Sequence, residues 1–436
     1  MENLIVKVIG AGLAGCETAY YLAKNGVKVK LYDIKPNSFT PAHKSQKLGE
    51  LVCSNSLKSN DVYGNACGLL KEEMRILGSL IIEAGDKTCV PAGGALAVNR
   101  EDFAGYITDK VLSHPNVEFI TKEVCDIDNA GITVIATGPL TTEKLSEKII
   151  EITGGGLSFF DASAPIVEAS TIDMDNAFFG DRYGRGNNDH INCPIDKDTY
   201  ELFINELLNA KRAELKSFED TAVFEGCMPI EVMAKRGKDT LRFGPLKPVG
   251  LDDPKTGRWP YACLQLRRED KTGSMYNLVG FQTNLLFGEQ KRVFSLIPAL
   301  KNAEYIRYGV MHRNTFINSP KNLNADFSLK TNPNVYFAGQ ITGVEGYVES
   351  AGSGLLVGIY VLQKIKGQAI SLVPEKTVLG ALSRYIATEN KDFQPMNANF
   401  GILPKDEVIY IRDKKEKKKR LAEISLSKVQ AFKETL

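Results

Sequence analysis

Two kinds of residue in this chain could do chemistry: glycines spaced to hold phosphates, and cysteines set among turn-forming residues. Gly10-Ala11-Gly12-Leu13-Ala14-Gly15 follows the apolar run 4–9 and precedes the apolar-spaced stretch 18–24, and Asp33 stands eighteen residues beyond Gly15. Strand, glycine turn, helix and a later acid together form a dinucleotide fingerprint. Gly10 permits the tight turn, Gly12 lets the backbone approach a pyrophosphate, and Gly15 lets helix pack close on strand. The helix N-terminus offers its positive end to the phosphates, and Asp33 is expected to accept hydrogen bonds from a ribose. Cys53 lies in Leu51-Val-Cys-Ser-Asn-Ser56 and Cys227 in Glu225-Gly-Cys-Met-Pro229. On spacing alone, a packed inert thiol and a nucleophile are both open readings for these two. Cys16, Cys67, Cys89, Cys125, Cys193 and Cys263 read as structural.

The elements that must position these groups can be read from the same chain. A second strand is expected at 27–32, a buried strand running into a glycine turn at 131–138, and another from Pro333 into Ala338-Gly-Gln-Ile-Thr-Gly343. The small-residue segment 350–358 then opens an apolar helix to about Ile365. The first lobe is therefore expected to be closed from both ends of the sequence. Between them, runs of β-branched and aromatic residues alternate with glycine and proline turns, which reads as an inserted α+β lobe. The expected division is 1–160, 161–330 and 331–436, in a fold of the FAD-binding Rossmann type, glutathione-reductase-like. FAD is favoured over NAD because the motif is N-terminal and the chain returns late to a second glycine segment. Without a second full fingerprint, a nicotinamide cofactor would dock only transiently. Segment 180–190, with Arg182, Tyr183 and Arg185, lacks periodicity and reads as an exposed, mobile loop.

Composition narrows the class. In 436 residues, 43% hydrophobic and 25% charged, neither disorder nor a fibrous class is favoured. Basic and acidic residues, 54 against 53, nearly cancel, so contact with nucleic acid needs a local patch. Arg412 to Arg420 offers one, with seven basic and two acidic residues. It reads either as a solvated, frayed helix end or as an RNA contact. No stretch approaches the roughly 20 apolar residues of a membrane helix, and the eight cysteines contain no C-x-x-C pair. A reducing cytoplasm suits them. With four histidines, and only His190-x-x-Cys193 at metal-like spacing, no metal site is expected.

Several longer blocks carry a resemblance. Glu50-Leu-Val-Cys-Ser-Asn-Ser-Leu57, Phe224-Glu-Gly-Cys-Met-Pro-Ile-Glu231, Leu241-Arg-Phe-Gly-Pro-Leu-Lys-Pro-Val-Gly250 and Tyr308-Gly-Val-Met-His-Arg-Asn-Thr-Phe316 are similar to the folate- and FAD-dependent tRNA (uracil-5-)-methyltransferases, the TrmFO family. The likeness runs from Val6 through the block 393–403 and is weakest in the basic terminal segment. Asp33 stands where the family more often has Glu. The resemblance implies Cys53 and Cys227 as a catalytic pair, with Cys227 adding to the uracil ring and Cys53 assisting proton removal. Lys235, Arg236 and Arg242 are sequence-local cations for the Cys227 thiolate. Beside the fingerprint residues, Gly138, Gly339, Gln340 and Tyr347 are implied at the flavin, His312 at flavin or pterin, and Arg307 and Arg313 at the RNA. Methylenetetrahydrofolate would donate carbon, FAD would reduce it, and NAD(P)H would restore the flavin. Four rivals remain: the same chemistry on ribosomal RNA, the longer wobble-uridine enzymes of the GidA class, a flavin oxidoreductase of small molecules, and an RNA-binding protein in which FAD is only structural.

Overall fold

The computed structural model describes residues 4–127, 131–184, 186–213, 228–391 and 393–436, with backbone alone described at 156–162, His312 and Arg313. Its first sheet runs, in spatial order, 328–329, 332–337, 133–135, 5–9, 28–33 and 117–121. All neighbours are parallel except the pair at the 328–329 edge. Val8 is flanked by Leu31 on one side and Val134 on the other, and Val134 by Tyr336 beyond it. All four are fully buried, as a sheet covered on both faces requires. The strand at 332–337 thus completes a sheet begun at the N-terminus.

Helix Leu13–Lys24 starts directly after Gly12, earlier than the apolar spacing from 18 suggests, because the glycine turn delivers the chain straight into helical geometry. Helix Tyr347–Ile365 crosses it at very short range. A Cβ added at Gly354 would lie 2.3 Å from the Ala14 carbonyl oxygen, and one at Gly358 would lie 3.2 Å from Tyr21 Cβ. Thr18 Oγ1 donates to the Gly354 carbonyl at 2.7 Å. The small residues at 350–358 are what permit this contact. Two buried glutamates fasten further helices. Glu17 accepts from Ser79 Oγ and from Leu80 and Ile81 N–H, capping helix Leu80–Lys87, and Glu73 accepts from Val378 and Leu379 N–H, capping helix Val378–Ala387.

A second, antiparallel sheet is ordered 178–179, 190–195, 262–268, 275–278, 166–168 and 305–307. Its core runs from Val167 to Ala303 and is separate from the core of the first sheet. Phe203, Phe281 and Phe294 meet within it at centroid distances of 5.2 to 6.4 Å. A two-stranded ribbon, 156–162 paired with 311–317, carries the chain between the two sheets.

Two expectations need correction. The 180–190 segment is exposed at Tyr183, Gly184 and 186–188, as expected, but both of its ends are tied down. Buried Asp181 accepts from Asp189 N–H at 3.0 Å and contacts His190 Nδ1, while the Asp189 carboxylate accepts from Gly93 N–H at 2.8 Å. Arg182 donates to the carbonyls of Lys247 and Val249, both at 2.7 Å. Short polar side chains that suggest a free loop here satisfy one another and the neighbouring backbone. The basic terminal run is likewise no frayed end: it begins helix Lys414–Lys433, whose N-cap Asp413 accepts from Glu416 N–H at 2.7 Å. No described helix is long and apolar enough to cross a membrane.

Candidate functional site

A long cleft opens over the ends of the first sheet's strands, enclosing about 1140 Å³ of empty space with its mouth included. Gly10, at φ +99°, leaves no room for a side chain: a Cβ would sit 2.5 Å from the Ala136 carbonyl oxygen. A Cβ at Gly15 would overlap the Gly10 carbonyl at 1.8 Å, whereas one at Gly12 would meet open space. Gly12 also gives the helix no capping side chain, so its first N–H groups are left for a ligand. Asp33 accepts from Ala11 N–H at 2.7 Å and Lys35 N–H at 2.9 Å, with lone pairs to spare for a diol. Gly138, Gly339, Gln340 and Tyr347 line the same cleft, as do Leu13 and Ala14. The buried Thr142 hydroxyl, also in the lining, has no hydrogen-bond partner among the described residues. A cleft of this size, an uncapped helix start, a carboxylate in its lining and an orphaned hydroxyl fit a dinucleotide such as FAD.

Sequence reasoning missed part of this wall. Lys35, Thr40, His43, Glu50, Thr137 and Thr141 line it as well. Lys35 Nζ donates to the Lys47 carbonyl at 2.5 Å, and Thr40 Oγ1 meets His43 Nδ1 at 2.6 Å. Burial, then the Lys35 charge, holds the His43 imidazole below its ordinary range. Thr137 and Thr141 flank the glycine turn at 138 and were within reach of a motif argument. Nothing in the 35–50 stretch signals its position.

Tyr347 joins the cleft to a thiol. Its hydroxyl oxygen accepts from Cys53 N–H at 2.7 Å and Ser54 N–H at 3.3 Å, and lies 2.9 Å from Cys53 Sγ. Burial pushes this phenol well above its ordinary range, so it stays protonated. With both lone pairs taken by backbone N–H groups, the O–H hydrogen is directed to the sulfur. Three guanidinium groups share this environment. Arg100 donates to the Leu51 carbonyl at 2.9 Å and pairs with Glu269 at 2.7 Å. Arg267 donates to Ser54 Oγ at 2.7 Å and Asn55 Oδ1 at 3.0 Å. Burial, then repulsion from Arg100, holds both Arg267 and Arg307 below the usual guanidinium range, and Cys53 and Tyr347 lie in the field of both. Cys53 Sγ thus shares its surroundings with these guanidinium groups and with the buried Glu269 carboxylate.

Of the expected site residues, the structure brings together Cys53, Tyr347, Arg307 and the glycine cleft. Cys227 and Arg185 lie outside the described residues. The end of the Cys227 block is anchored: Ile230 N–H donates to the Gln282 carbonyl at 2.7 Å, and buried Glu231 accepts from Thr283 Oγ1 and Asn284 N–H. Arg242 is committed elsewhere, stacked 3.6 Å over the Tyr261 ring and paired with Asp239, while Lys235 and Arg236 are exposed. His312 and Arg313 pair through their backbone with Asp161 and Phe160, and their side chains lie outside the described atoms. Tyr308 stacks between Phe287 and Tyr305 at 4.7 and 5.1 Å. Elsewhere burial pushes the thiol of Cys67 up to about 11 and that of Cys263 up to about 12, which keeps both inert.

A parallel sheet with a glycine-turn cleft, an antiparallel lobe inserted into it and a thiol in contact with the cleft's Tyr347 define a two-lobed dinucleotide-binding protein. The family profile described as "Glucose inhibited division protein A" matches residues 5–369. A methylenetetrahydrofolate--tRNA-(uracil-5-)-methyltransferase TrmFO from Acetivibrio thermocellus is 57% identical over 414 residues, 94% of each chain. Its counterpart from Staphylococcus carnosus is 54% identical over the whole of both chains. Among solved structures, Aquifex aeolicus GidA superposes with a TM-score of 0.73 at 16% identity, covering 100% of this chain and 73% of that one, which speaks to the fold. The chain belongs to the TrmFO family, within the group that the GidA profile describes.

Proposed function

We propose that this chain methylates carbon 5 of a uracil in tRNA, with methylenetetrahydrofolate as carbon donor and FAD as bound cofactor, the activity its 54–57% identical relatives are named for. The observation that carries the reading is the Cys53–Tyr347 hydrogen bond, because Tyr347 also lines the cleft that follows from the fingerprint. FAD, bound and reduced by an external donor, would supply the two electrons that take a methylene to a methyl group. Gly10, Gly12 and Gly15 would admit its pyrophosphate to the helix start, and Asp33 would hold its ribose. Gly339, Gln340 and Tyr347 would border the far end of the cofactor.

Carbon 5 of uracil is a weak nucleophile until a thiolate adds at carbon 6 and pushes electron density onto it. We assign that addition to Cys227. After carbon transfer the carbon 5 proton must leave, and then the Cys227 sulfur. Cys53 suits the proton: the Tyr347 O–H and the nearby guanidinium groups favour a thiolate that can accept it. Arg307, Arg313 and His312 would face the extruded base and the pterin. NAD(P)H as the external reductant, the T-loop uridine as the target and a cytoplasmic setting are the finer parts of the proposal.

The test uses labelled methylenetetrahydrofolate and NAD(P)H with tRNA and ribosomal RNA transcripts side by side. Label is expected in the T-loop uridine of tRNA, with no substitution by S-adenosylmethionine. Product in neither RNA refutes the proposal; product in ribosomal RNA alone moves it to that target.

A further inference from the structure

The C-terminal helix carries a charge pattern that its own packing does not require. Its later turns bury Leu421, Ile424, Val429 and Phe432 against the first lobe. Its beginning, with the two residues before it, gathers seven cations and two acids between Arg412 and Arg420, all exposed except half-buried Lys417. Arg420 pairs with Glu423 at 3.3 Å, and Lys418 donates to the Gly64 carbonyl at 3.2 Å. Among the described residues no carboxylate lies within ion-pair distance of Arg412, Lys414, Lys415, Lys417 or Lys419. Cations crowded at the start of a helix repel one another and oppose its dipole. Among the described residues, Asp413 at the cap, Glu416 in the first turn and Glu423 opposite Arg420 offset only part of that repulsion. Just before them, Ile409 and Tyr410 stand 65% and 91% exposed, so an aromatic ring projects beside the cations.

Contacts run from the patch to the segments that carry the thiol and Tyr347. Lys418 Nζ lies 5.7 Å from the centre of the Phe400 ring. Ala398, two residues earlier, donates its N–H at 3.0 Å to Glu349, which pairs with Lys58 at 2.8 Å. Lys58 lies five residues from Cys53, and Glu349 two from Tyr347.

We infer that this patch docks the phosphodiester backbone of the RNA substrate away from the target uracil, with Tyr410 stacking on an unpaired base. The inference rests on the RNA reading above. Lysines in the open turns neutralise phosphates, and contacts through Phe400, Ala398, Glu349 and Lys58 run from the patch to the segments that carry Tyr347 and Cys53. An anionic lipid surface has the same charge but no use for that linkage.

The holoenzyme is compared with a variant carrying Lys414→Gln, Lys415→Gln and Lys419→Gln, and with one in which the same three lysines become Arg. Both are given a full tRNA transcript and a short stem-loop that holds only the target uridine. For the Gln variant the KM for full tRNA is expected to rise about tenfold, and the log–log salt slope of binding to flatten by about 2. Its kcat and its KM for the stem-loop stay within twofold of wild type, and the Arg variant matches wild type throughout. The buried face of the helix is untouched, so far-UV circular dichroism stays unchanged. An unchanged salt slope and KM for full tRNA overturn the inference, as does an equal rise with the stem-loop. Loss of binding to vesicles rich in anionic lipid, at unaltered tRNA affinity, overturns it in favour of a membrane. Should wild type methylate neither RNA, the methylation reading fails, and the salt slope alone still decides the patch.

Discussion

The two ends of the cleft are built by different means. At the fingerprint end, close approach of backbone to backbone does the work: Gly10 against Ala136, Gly15 against Gly10, Gly354 against Ala14. At the thiol end, side chains from five distant segments converge, with Cys53, Arg100, Arg267, Arg307 and Tyr347 contributed by both sheets' surroundings. The first kind of site tolerates almost no added atom. The second tolerates atoms but depends on charge and proton position. Steric damage at one end is therefore expected to abolish binding of cofactor, and chemical damage at the other to spare binding while abolishing turnover.

The largest effect follows from Gly10→Val. The new side chain would face the Ala136 carbonyl at 2.5 Å and occupy a positive φ that β-branched residues avoid, costing roughly 3 to 5 kcal/mol. Purified protein should be colourless and inactive, with a lowered Tm; a yellow, active variant would remove the steric half of the contrast. Cys53→Ala comes next. It should keep its flavin absorbance and lose about 10²- to 10⁴-fold in methylation rate, the range for a missing proton-transfer group. Loss of flavin along with activity would mean that the two ends are not separable.

Tyr347→Phe probes the joint between them. Removing the hydroxyl strips the acceptor from two backbone N–H groups and the donor from the sulfur, worth about 1 to 3 kcal/mol. A fall in kcat of about tenfold, with FAD still bound, is the expected result. A matching loss in a Cys53→Ala background would show that the phenol acts independently of that thiol.

The same contrast explains what could be read in advance. Gly10, Gly12, Gly15 and Asp33 were legible because a backbone cradle is local: its parts lie within one strand, turn and helix. The small-residue stretch at 350–358 was legible for the same reason, although its partner, Ala14, lies more than three hundred residues away. The thiol end was not. Tyr347 reaches Cys53 across 294 positions, and Arg267 reaches Ser54 across 213, with no periodicity linking them. Cys53 and Tyr347 came forward through family resemblance, and their hydrogen bond came only with the fold. Arg100, Arg267 and Glu269 carried no signal at all, because a lone charge on a helix or strand is ordinarily solvated. The 180–190 segment misled for a related reason: polar loop composition does not reveal that Asp181, Arg182 and Asp189 have found partners.

The smallest expected effect separates carboxylates that fasten the scaffold from those that serve the site. Burial pushes Glu17 and Glu73 up to about 7 even though backbone N–H groups donate to both. Each binds its proton more tightly folded than unfolded, where a glutamate titrates near 4.3. Their contribution is therefore fully present below the unfolded value and declines as pH rises through about 7, where charge must be held without water. Tm should fall by a few degrees between pH 5.5 and pH 8.5. Glu73→Gln cannot ionise and keeps a single acceptor oxygen, so one of the Val378 and Leu379 N–H groups loses its partner; its Tm should be lower throughout but fall less steeply over the same interval. Since Glu73 also receives the hydroxyl of Ser425, the variant reports on how the C-terminal helix is held. An identical pH slope in the variant would mean that Glu73 is already charged in the fold and that its helix-capping bonds outweigh burial.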